Sequence, residues 1–316
     1  MKRLLVLAGA ALFAASTLAQ FPSKPVRVVV PFGAGSSTDI VMRIIAQPLG
    51  QALGQPVVVD NKPGADGIIA AVEVQKAAPD GHTIMIATNS PLSAAPHLRK
   101  SLPYHPINDF TPISFIGNYT FFIVVHPGVP AKTLGELINH ARSNPGKLNY
   151  ATGNTTSIVS TAMFATLAKI NMQHIPYKTE PPAITDLLSG RIHLMFSSYS
   201  TVAPHVREGK LRALVTTLPG RSPLIPEVPS IVEAGFPKFP IVPWAGMVAP
   251  AKTPKAVVER LNRELNLVLK RAEVRDHLGK QAFEARGSSA EELGVYVKEQ
   301  LEVWGKAIRD AGIQPE

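Results

Sequence analysis

Two segments of this chain set a glycine turn and a run of small hydroxyl side chains where an apolar strand gives way to a helical pattern. The first is VPFGAGSSTDIVMRIIA, residues 30–46, and the second is LNYATGNTTSIVSTAMFATL, residues 148–167. A strand that turns directly into a helix aims several unpaired backbone N–H groups, and the positive end of the helix dipole, at one spot. The chemistry on offer is the holding of an anion. The first loop does not fit a nucleotide: Gly33 and Gly35 are followed by Thr38 where a dinucleotide fingerprint needs a third glycine, and the P-loop lysine is missing. A carboxylate suits it better. Taken alone, this loop is equally well read as a plain turn in which the glycines bend the chain and Ser37 or Thr38 caps the helix. The second segment repeats the design in the other half of the chain, with Gly153 at the turn and Thr155, Thr156 and Ser157 after it. Two such helix starts suggest two lobes gripping one ligand at the carboxyl ends of their strands, and a ligand with two carboxylates would satisfy both.

Other chemistries find less support. The nine histidines, among them His126, His174 and His193, form no HExxH or other close ligand pair, so neither a metal site nor a cofactor is expected. Glu180 and Asp186 imitate a glycosidase acid pair but read better as a helix start and a solvated face. A hydrolase of α/β type needs a G-x-S-x-G elbow, and the sequence has no such pentapeptide. Asp39, in the first turn of its helix, reads as a dipole-favoured or capping side chain, and Asp80 with Gly81 as a turn. Tyr177 is read equally well as a packing residue or as one facing a crevice.

Composition narrows the setting. Lys2 and Arg3 precede an apolar run from Leu4 to Ala15 and the small-residue sequence Thr17-Leu18-Ala19, the pattern of a cleavable export signal over residues 1–19. The apolar run is shorter than the roughly 20 residues of a spanning helix. With no cysteine anywhere, the exported chain has neither a lipid attachment site nor a disulfide framework and relies on its core. The formal net charge of +9 is spread singly, with no basic run interleaved with aromatics, so no nucleic-acid partner is expected. Such a field still favours a small anion.

The elements that must position these loops alternate along the chain. VRVVV (26–30), VVVD (57–60), HTIMIAT (82–88), FFIVVH (121–126), LNYA (148–151), IHLMFS (192–197) and LRALVTT (211–217) read as buried strands. Thr133 with Glu136 and Ser289 with Glu292 read as capping boxes, and Thr253 before Pro254 as an N-cap followed by N1. Gly and Pro clusters fall between the elements. This alternation predicts an α/β architecture with mainly parallel sheets.

The order and spacing of several segments carry a resemblance. VPFGAGSSTD, VVVDNKPGADG, KAAPDGHTIMIAT, LNYATGN, IPYKTEPPAITDLLSGRIHLMF, GKLRALVTT, RSPLIPEVPSIVEAG and WAGMVAPAKTP together resemble the Bug family, periplasmic solute-binding proteins associated with tripartite tricarboxylate transporters. The resemblance implies a two-lobed periplasmic-binding-protein (Venus flytrap) fold with a two-segment hinge, without catalytic activity. It implies lobe one at residues 20–122 and 243–316 and lobe two at 123–242. It implies a monomeric receptor that passes a small carboxylate to inner-membrane transporter subunits; a sensor for a membrane signalling partner is the alternative, and an exported hydrolase a more distant one. Ligand contacts carried onto this chain are Phe32, Ala34, Gly35, Ser36, Ser37 and Thr38 in the first loop, Thr88, Asn89 and Ser90 in the second, and Gly153, Asn154, Thr155 and Thr156 in the other lobe. Tyr177 and Ser197 are expected to face the crevice. The chain departs from the family at Gly35-Ser36, where paired glycines are frequent, at Thr179, where a glycine commonly follows the lysine, and at Ser197, where an acid is frequent. The missing acid at 197 leads to the expectation that a ligand ammonium group lacks a partner.

Overall fold

All four valines of VRVVV are fully buried, which requires cover on both faces of the strand they form. The structure, a computed structural model, describes residues 21–218, 220–237, 239 and 241–316; the export signal expected at 1–19 lies outside them. The strands are β1 (Val26–Val30), β2 (Val57–Asn61), β3 (Thr83–Thr88), β4 (Phe110–Tyr119), β5 (Phe121–Val125), β6 (Asn149–Thr152), β7 (Gln173–Pro176), β8 (Leu194–Ser198), β9 (Arg212–Thr216), β10 (Trp244–Pro250) and β11 (Phe283–Ala285). The helices are α1 (Ser37–Leu53), α2 (Ile68–Gln75), α3 (Ala95–Leu98), α4 (Leu134–Ser143), α5 (Thr155–Ala168), α6 (Glu180–Leu188), α7 (Tyr199–Arg207), α8 (Lys255–Lys270), α9 (Ala272–Gly279) and α10 (Ala290–Asp310).

The strands sort into two sheets, in the orders β11-β4-β10-β3-β1-β2 and β7-β6-β8-β5-β9. Each sheet heads one lobe of an α/β fold. The chain crosses from the first sheet to the second at Thr120, between β4 and β5, and returns through residues 217–243, between β9 and β10. On the way back Phe236 packs edge-on against Phe164, and Phe239 stacks on Phe196 with 6.0 Å between ring centroids. Helices α8 and α10 then rejoin the first sheet. Asn262 of α8 donates to the carbonyl of Ile113 at 2.6 Å, and Trp304 of α10 is fully buried.

The expectation of mainly parallel sheets is overturned. β1 runs parallel to β2 and β3, and β6 parallel to β7 and β8. β10 is antiparallel to β3 and β4, β11 to β4, and β5 to β8 and β9. The reason lies in the crossings. β5 and β10 each enter their sheet from the other lobe, so no crossover helix on the same sheet dictates their direction.

All seven strands read from the sequence are present within two residues of their expected ends. β4 escaped because Pro112 and Gly117 look like breakers; both sit beside irregular pairing with β10, and a Cβ at Gly117 would lie 2.2 Å from the carbonyl of Glu284 in β11. The box at Ser289 and Glu292 forms in full, with bonds of 3.1 and 2.7 Å. Thr133 accepts from the Glu136 amide at 3.2 Å, but Glu136 reaches back to the amide of Lys132 rather than that of Thr133. Thr253 does not cap α8: its hydroxyl turns to the Pro250 carbonyl at 2.8 Å, and Pro254 stands at the cap instead. Among the described residues, no helix is long and apolar enough to cross a membrane.

Candidate functional site

Helix α1 begins at Ser37 because Ser36 caps it, its Oγ accepting from the Asp39 amide at 3.3 Å. Gly35, at φ +79°, supplies the left-handed turn that leads into the extended cap. Capping satisfies the third amide of the helix and leaves those of Ser37 and Thr38 with no acceptor inside it. Both residues line a cleft between the lobes. Asp39 belongs to the scaffold of the loop: its carboxylate accepts from the Gly35 amide, from Asn61 and from Arg43, each at 3.0 Å. Burial pushes that carboxyl up, yet Arg43, the Gly35 amide and Asn61 together hold it below the ordinary range.

Helix α5 repeats the arrangement in the second lobe. Asn154 accepts from the Ser157 amide at 2.9 Å, while Ser157 Oγ accepts from the Asn154 amide at 3.3 Å, a reciprocal box that again leaves the first two amides, here Thr155 and Thr156, unused by the helix. The turn before it is a glycine for a steric reason. A Cβ on Gly153 would lie 2.6 Å from the Glu180 nitrogen and 2.7 Å from the Thr179 carbonyl carbon, so only a residue without one lets the start of α6 approach.

The end of β3 joins the two helix starts. Asn89 is buried, and its Oδ1 accepts from the Trp244 amide of β10 at 3.3 Å, which turns Nδ2 toward the second lobe. There it donates to Thr156 Oγ1 at 2.8 Å, and beside it Thr155 Oγ1 donates to Ser90 Oγ at 2.5 Å. Both bonds cross from one lobe to the other. Phe32, Tyr119, Phe121 and Pro243 supply the apolar part of the lining. Tyr119 is fixed by donating to Thr38 Oγ1 at 3.1 Å, and burial pushes its hydroxyl far above the ordinary range. Little open space remains between these residues. The lobes are drawn together, joined by the two cross-lobe bonds.

Ten of the residues singled out from the sequence meet at this cleft: Phe32, Ser36, Ser37, Thr38, Thr88, Asn89, Ser90, Gly153, Asn154 and Thr156. Thr155 is buried just behind them, at the Ser90 contact. Four others are placed elsewhere. Ala34 and Gly35, in the turn before the α1 cap, are exposed and are not part of the lining. Tyr177 donates its hydroxyl to Asp186 at 2.6 Å and takes no part in the lining. Ser197 is fully buried beneath the surface of the cleft, bonded to Thr201 at 3.0 Å.

The sequence reading missed Tyr119, Phe121, Pro243 and, of most consequence, Glu180. Glu180 is the first residue of α6, is 3% exposed and lines the cleft. Its carboxylate accepts from Ser198 Oγ at 3.0 Å and, more distantly, from the Ser198 amide and Ser197 Oγ at 3.4 Å and Thr201 Oγ1 at 3.5 Å. Burial pushes this carboxyl up, and the Ser198, Ser197 and Asn154 hydrogen bonds only partly oppose it. The expectation that the site lacks an acid is therefore corrected. The acid comes from position 180, because α6 begins against Gly153 and points its first side chain at the start of α7. The available signal was the departure at Thr179-Glu180, where an acid immediately follows the residue that replaces the family's glycine. Among the described residues no group of three or more metal-ligating side chains occurs.

Known proteins are similar to this chain over most of its length. Residues 41–313 match the family described as tripartite tricarboxylate transporter family receptor. The chain is 33% identical to protein BugT of Bordetella pertussis over 297 residues, which cover 92% of this chain and 90% of BugT. The solved structure of Rpa4515 from R. palustris with adipate superposes with a TM-score of 0.91 at 32% identity, covering 94% of this chain and all of that one. MatC (Rpa3494) from Rhodopseudomonas palustris, with bound malate, gives 0.85 at 32% identity, covering 91% of this chain and all of that one.

Proposed function

We propose, from the premise that this chain belongs to the tripartite tricarboxylate transporter receptor family of Bug type, that it is a periplasmic receptor closing its two lobes on a small carboxylate for delivery to a membrane transporter. The observation that carries the reading is the meeting of two helix starts at one cleft, Ser37 and Thr38 from one lobe and Thr156, with Thr155 buried just behind it, from the other. Each helix start has two amides that its own helix leaves unused. Among the described residues no Lys, Arg or His lines the cleft, so an anion held by these residues would be held by directed hydrogen bonds rather than by a bare cation. That favours carboxylate over phosphate.

Two anion-ready helix starts at one cleft that Phe32, Tyr119 and Phe121 also line support a dicarboxylate with an apolar middle, and the adipate and malate of the two similar structures agree with that class. The ligand-contact roles of Phe32, Ser36, Ser37, Thr38, Thr88, Asn89, Ser90, Gly153, Asn154 and Thr156 belong to this reading, and no reaction is assigned to them. The test is a thermal-shift screen of the purified protein against mono-, di- and tricarboxylates, since a ligand that binds only the folded state raises its melting temperature by mass action. The expected result is a concentration-dependent rise with dicarboxylates that exceeds any rise with inorganic phosphate. A flat response to all carboxylates would remove the reading.

A further inference from the structure

The chain passes between its lobes twice, and both crossings border a second pocket behind the cleft. Tyr119 and Phe121 line the cleft while Thr120, between them, lines this pocket, so the crossing chain is the partition between the two. Leu218, Pro223 and Leu224 of the returning crossing form one wall, and Ala282 and Phe283, where α9 turns into β11, form the other. The first wall moves with the second sheet, because the Thr217 amide donates to the Phe121 carbonyl of β5 at 2.9 Å. The second moves with the first sheet, where Phe283 pairs with Tyr119. The volume, about 440 Å³, is that of a small-molecule site and too small for a helix or strand of a partner. Its charges stand at the rim and largely cancel: Asp276 and Lys280 pair at 2.6 Å, which leaves the exposed Glu284 and no spare cation among the described lining residues. Such a lining suits an uncharged apolar molecule and not a second copy of a carboxylate.

We propose that this pocket is a second binding site, for a small uncharged apolar molecule, whose occupation favours the closed lobes and so strengthens carboxylate binding in the cleft. The two sites lie on opposite sides of the same crossings. A rotation that opens the cleft therefore brings the pocket walls together, and one that shuts the cleft draws them apart. The lobes are joined across the cleft while the pocket stands open, as that lever requires. A molecule held between the walls resists their approach, and a ligand that binds one of two states better shifts the balance toward it. The two sites also touch: Phe283 of the pocket meets Tyr119 of the cleft edge-on with 4.9 Å between ring centroids, and Tyr119 is bonded to Thr38 at the α1 start. The site goes beyond the carboxylate-receptor reading, which supplies only the readout of the coupling.

Indole, small, uncharged and apolar, is the probe. Titrated calorimetrically into the full protein without any carboxylate, it is expected to bind. At saturating indole the tightest-binding diacid of the screen should bind about fivefold or more tightly, and indole should gain the same factor when titrated into the diacid complex. Leu224 supplies the variant, since it is 37% exposed in the pocket wall and no part of the cleft lining. Leu224→Asp should lose indole binding, because it sets a carboxylate in an apolar wall, and should keep the diacid affinity measured without indole. Three results would each overturn the assignment: no heat from indole and no change in diacid affinity, indole that weakens the diacid, or indole binding that survives in Leu224→Asp. If indole binds in a Leu224-dependent way and no carboxylate binds at all, the receptor reading has failed while the site stands; compaction on adding indole, read by small-angle scattering, then reports the coupling. The reciprocal factor on the unaltered protein decides the coupling even if the variant folds poorly.

Discussion

Lobes one and two build the same device, a capped helix start whose first two amides its own helix leaves unused, but they treat the acid beside it in opposite ways. In lobe one Asp39 is paired with Arg43, Asn61 and the Gly35 amide and serves only the loop. In lobe two Glu180 meets hydroxyls and amides and lines the cleft. A buried acid with a cation beside it keeps its charge and belongs to the scaffold, whereas burial without a cation pushes the acid toward its neutral form. The two glycine turns differ too. Gly35 is needed for its positive φ and has open space where a Cβ would go, while Gly153 is needed because another backbone presses on it.

Replacing the pressed glycine should do the most damage. Gly153→Ala drives a methyl into the backbone of Thr179 and Glu180, so α6 has to retreat, taking Glu180 with it. Loss of about 1–3 kcal/mol of stability is expected from such overpacking, and carboxylate binding should fall below detection in calorimetry. Binding within a few-fold of the unaltered protein would mean that the approach of α6 to the α5 start is not what shapes lobe two. Thr156→Pro comes next. It removes one cleft-facing amide and the acceptor of the Asn89 bond, at a first-turn position where proline is tolerated. A circular dichroism spectrum close to that of the unaltered protein with affinity reduced by about tenfold or more is expected. Unchanged affinity would remove the α5 start from the site.

The acids sharpen the comparison through opposite signs. Asp39 has a lowered carboxyl, so its contribution to stability is present above its ordinary value of 3.8 and lost as pH falls through the folded value. Asp39→Asn should therefore lower the melting temperature at neutral pH, by about 1–3 kcal/mol of unfolding free energy, with the deficit shrinking as the pH falls below about 4. Glu180 has a raised carboxyl, so the protonated acid is favoured in the fold and the penalty of ionising it grows as pH rises above its ordinary value of 4.5. Glu180→Gln should leave stability near pH 4 little changed and raise the melting temperature of the ligand-free protein by a few degrees at neutral pH. Melting curves of both variants across pH test this; shifts of the same sign would erase the contrast between the lobes. The smallest effect is expected at Gly35→Ala, which costs about 1–2 kcal/mol for the left-handed backbone and leaves binding nearly intact.

The two halves of the site were also unequally legible in the sequence. Both helix starts could be read because glycine, hydroxyl and amide side chains announce turns and caps locally, as Ser36 and Asn154 show. Glu180 could not, since the same residue at a helix start is an ordinary surface feature and only the close approach over Gly153 buries it. Tyr119, Phe121 and Pro243 flank the crossings between lobes, where the strand pattern reports burial but not which surface does the burying. The same limit explains the sheets. VRVVV and FFIVVH look alike as buried strands, yet one runs parallel to its neighbours and the other antiparallel, because direction is set by where the chain comes from.

The central claim is that two opposed helix starts clamp the two ends of one small anion. Isothermal titration of the tightest-binding diacid found in the screen, set beside its monomethyl ester, tests this most directly. Esterifying one end removes the charge from one carboxylate and blunts its acceptance of the helix-start amides while leaving the apolar middle in place. Such a loss of charge-assisted hydrogen bonds is worth on the order of 1.5–3 kcal/mol, so the account predicts an ester weaker by at least about tenfold. An ester that binds as tightly as the diacid would contradict it.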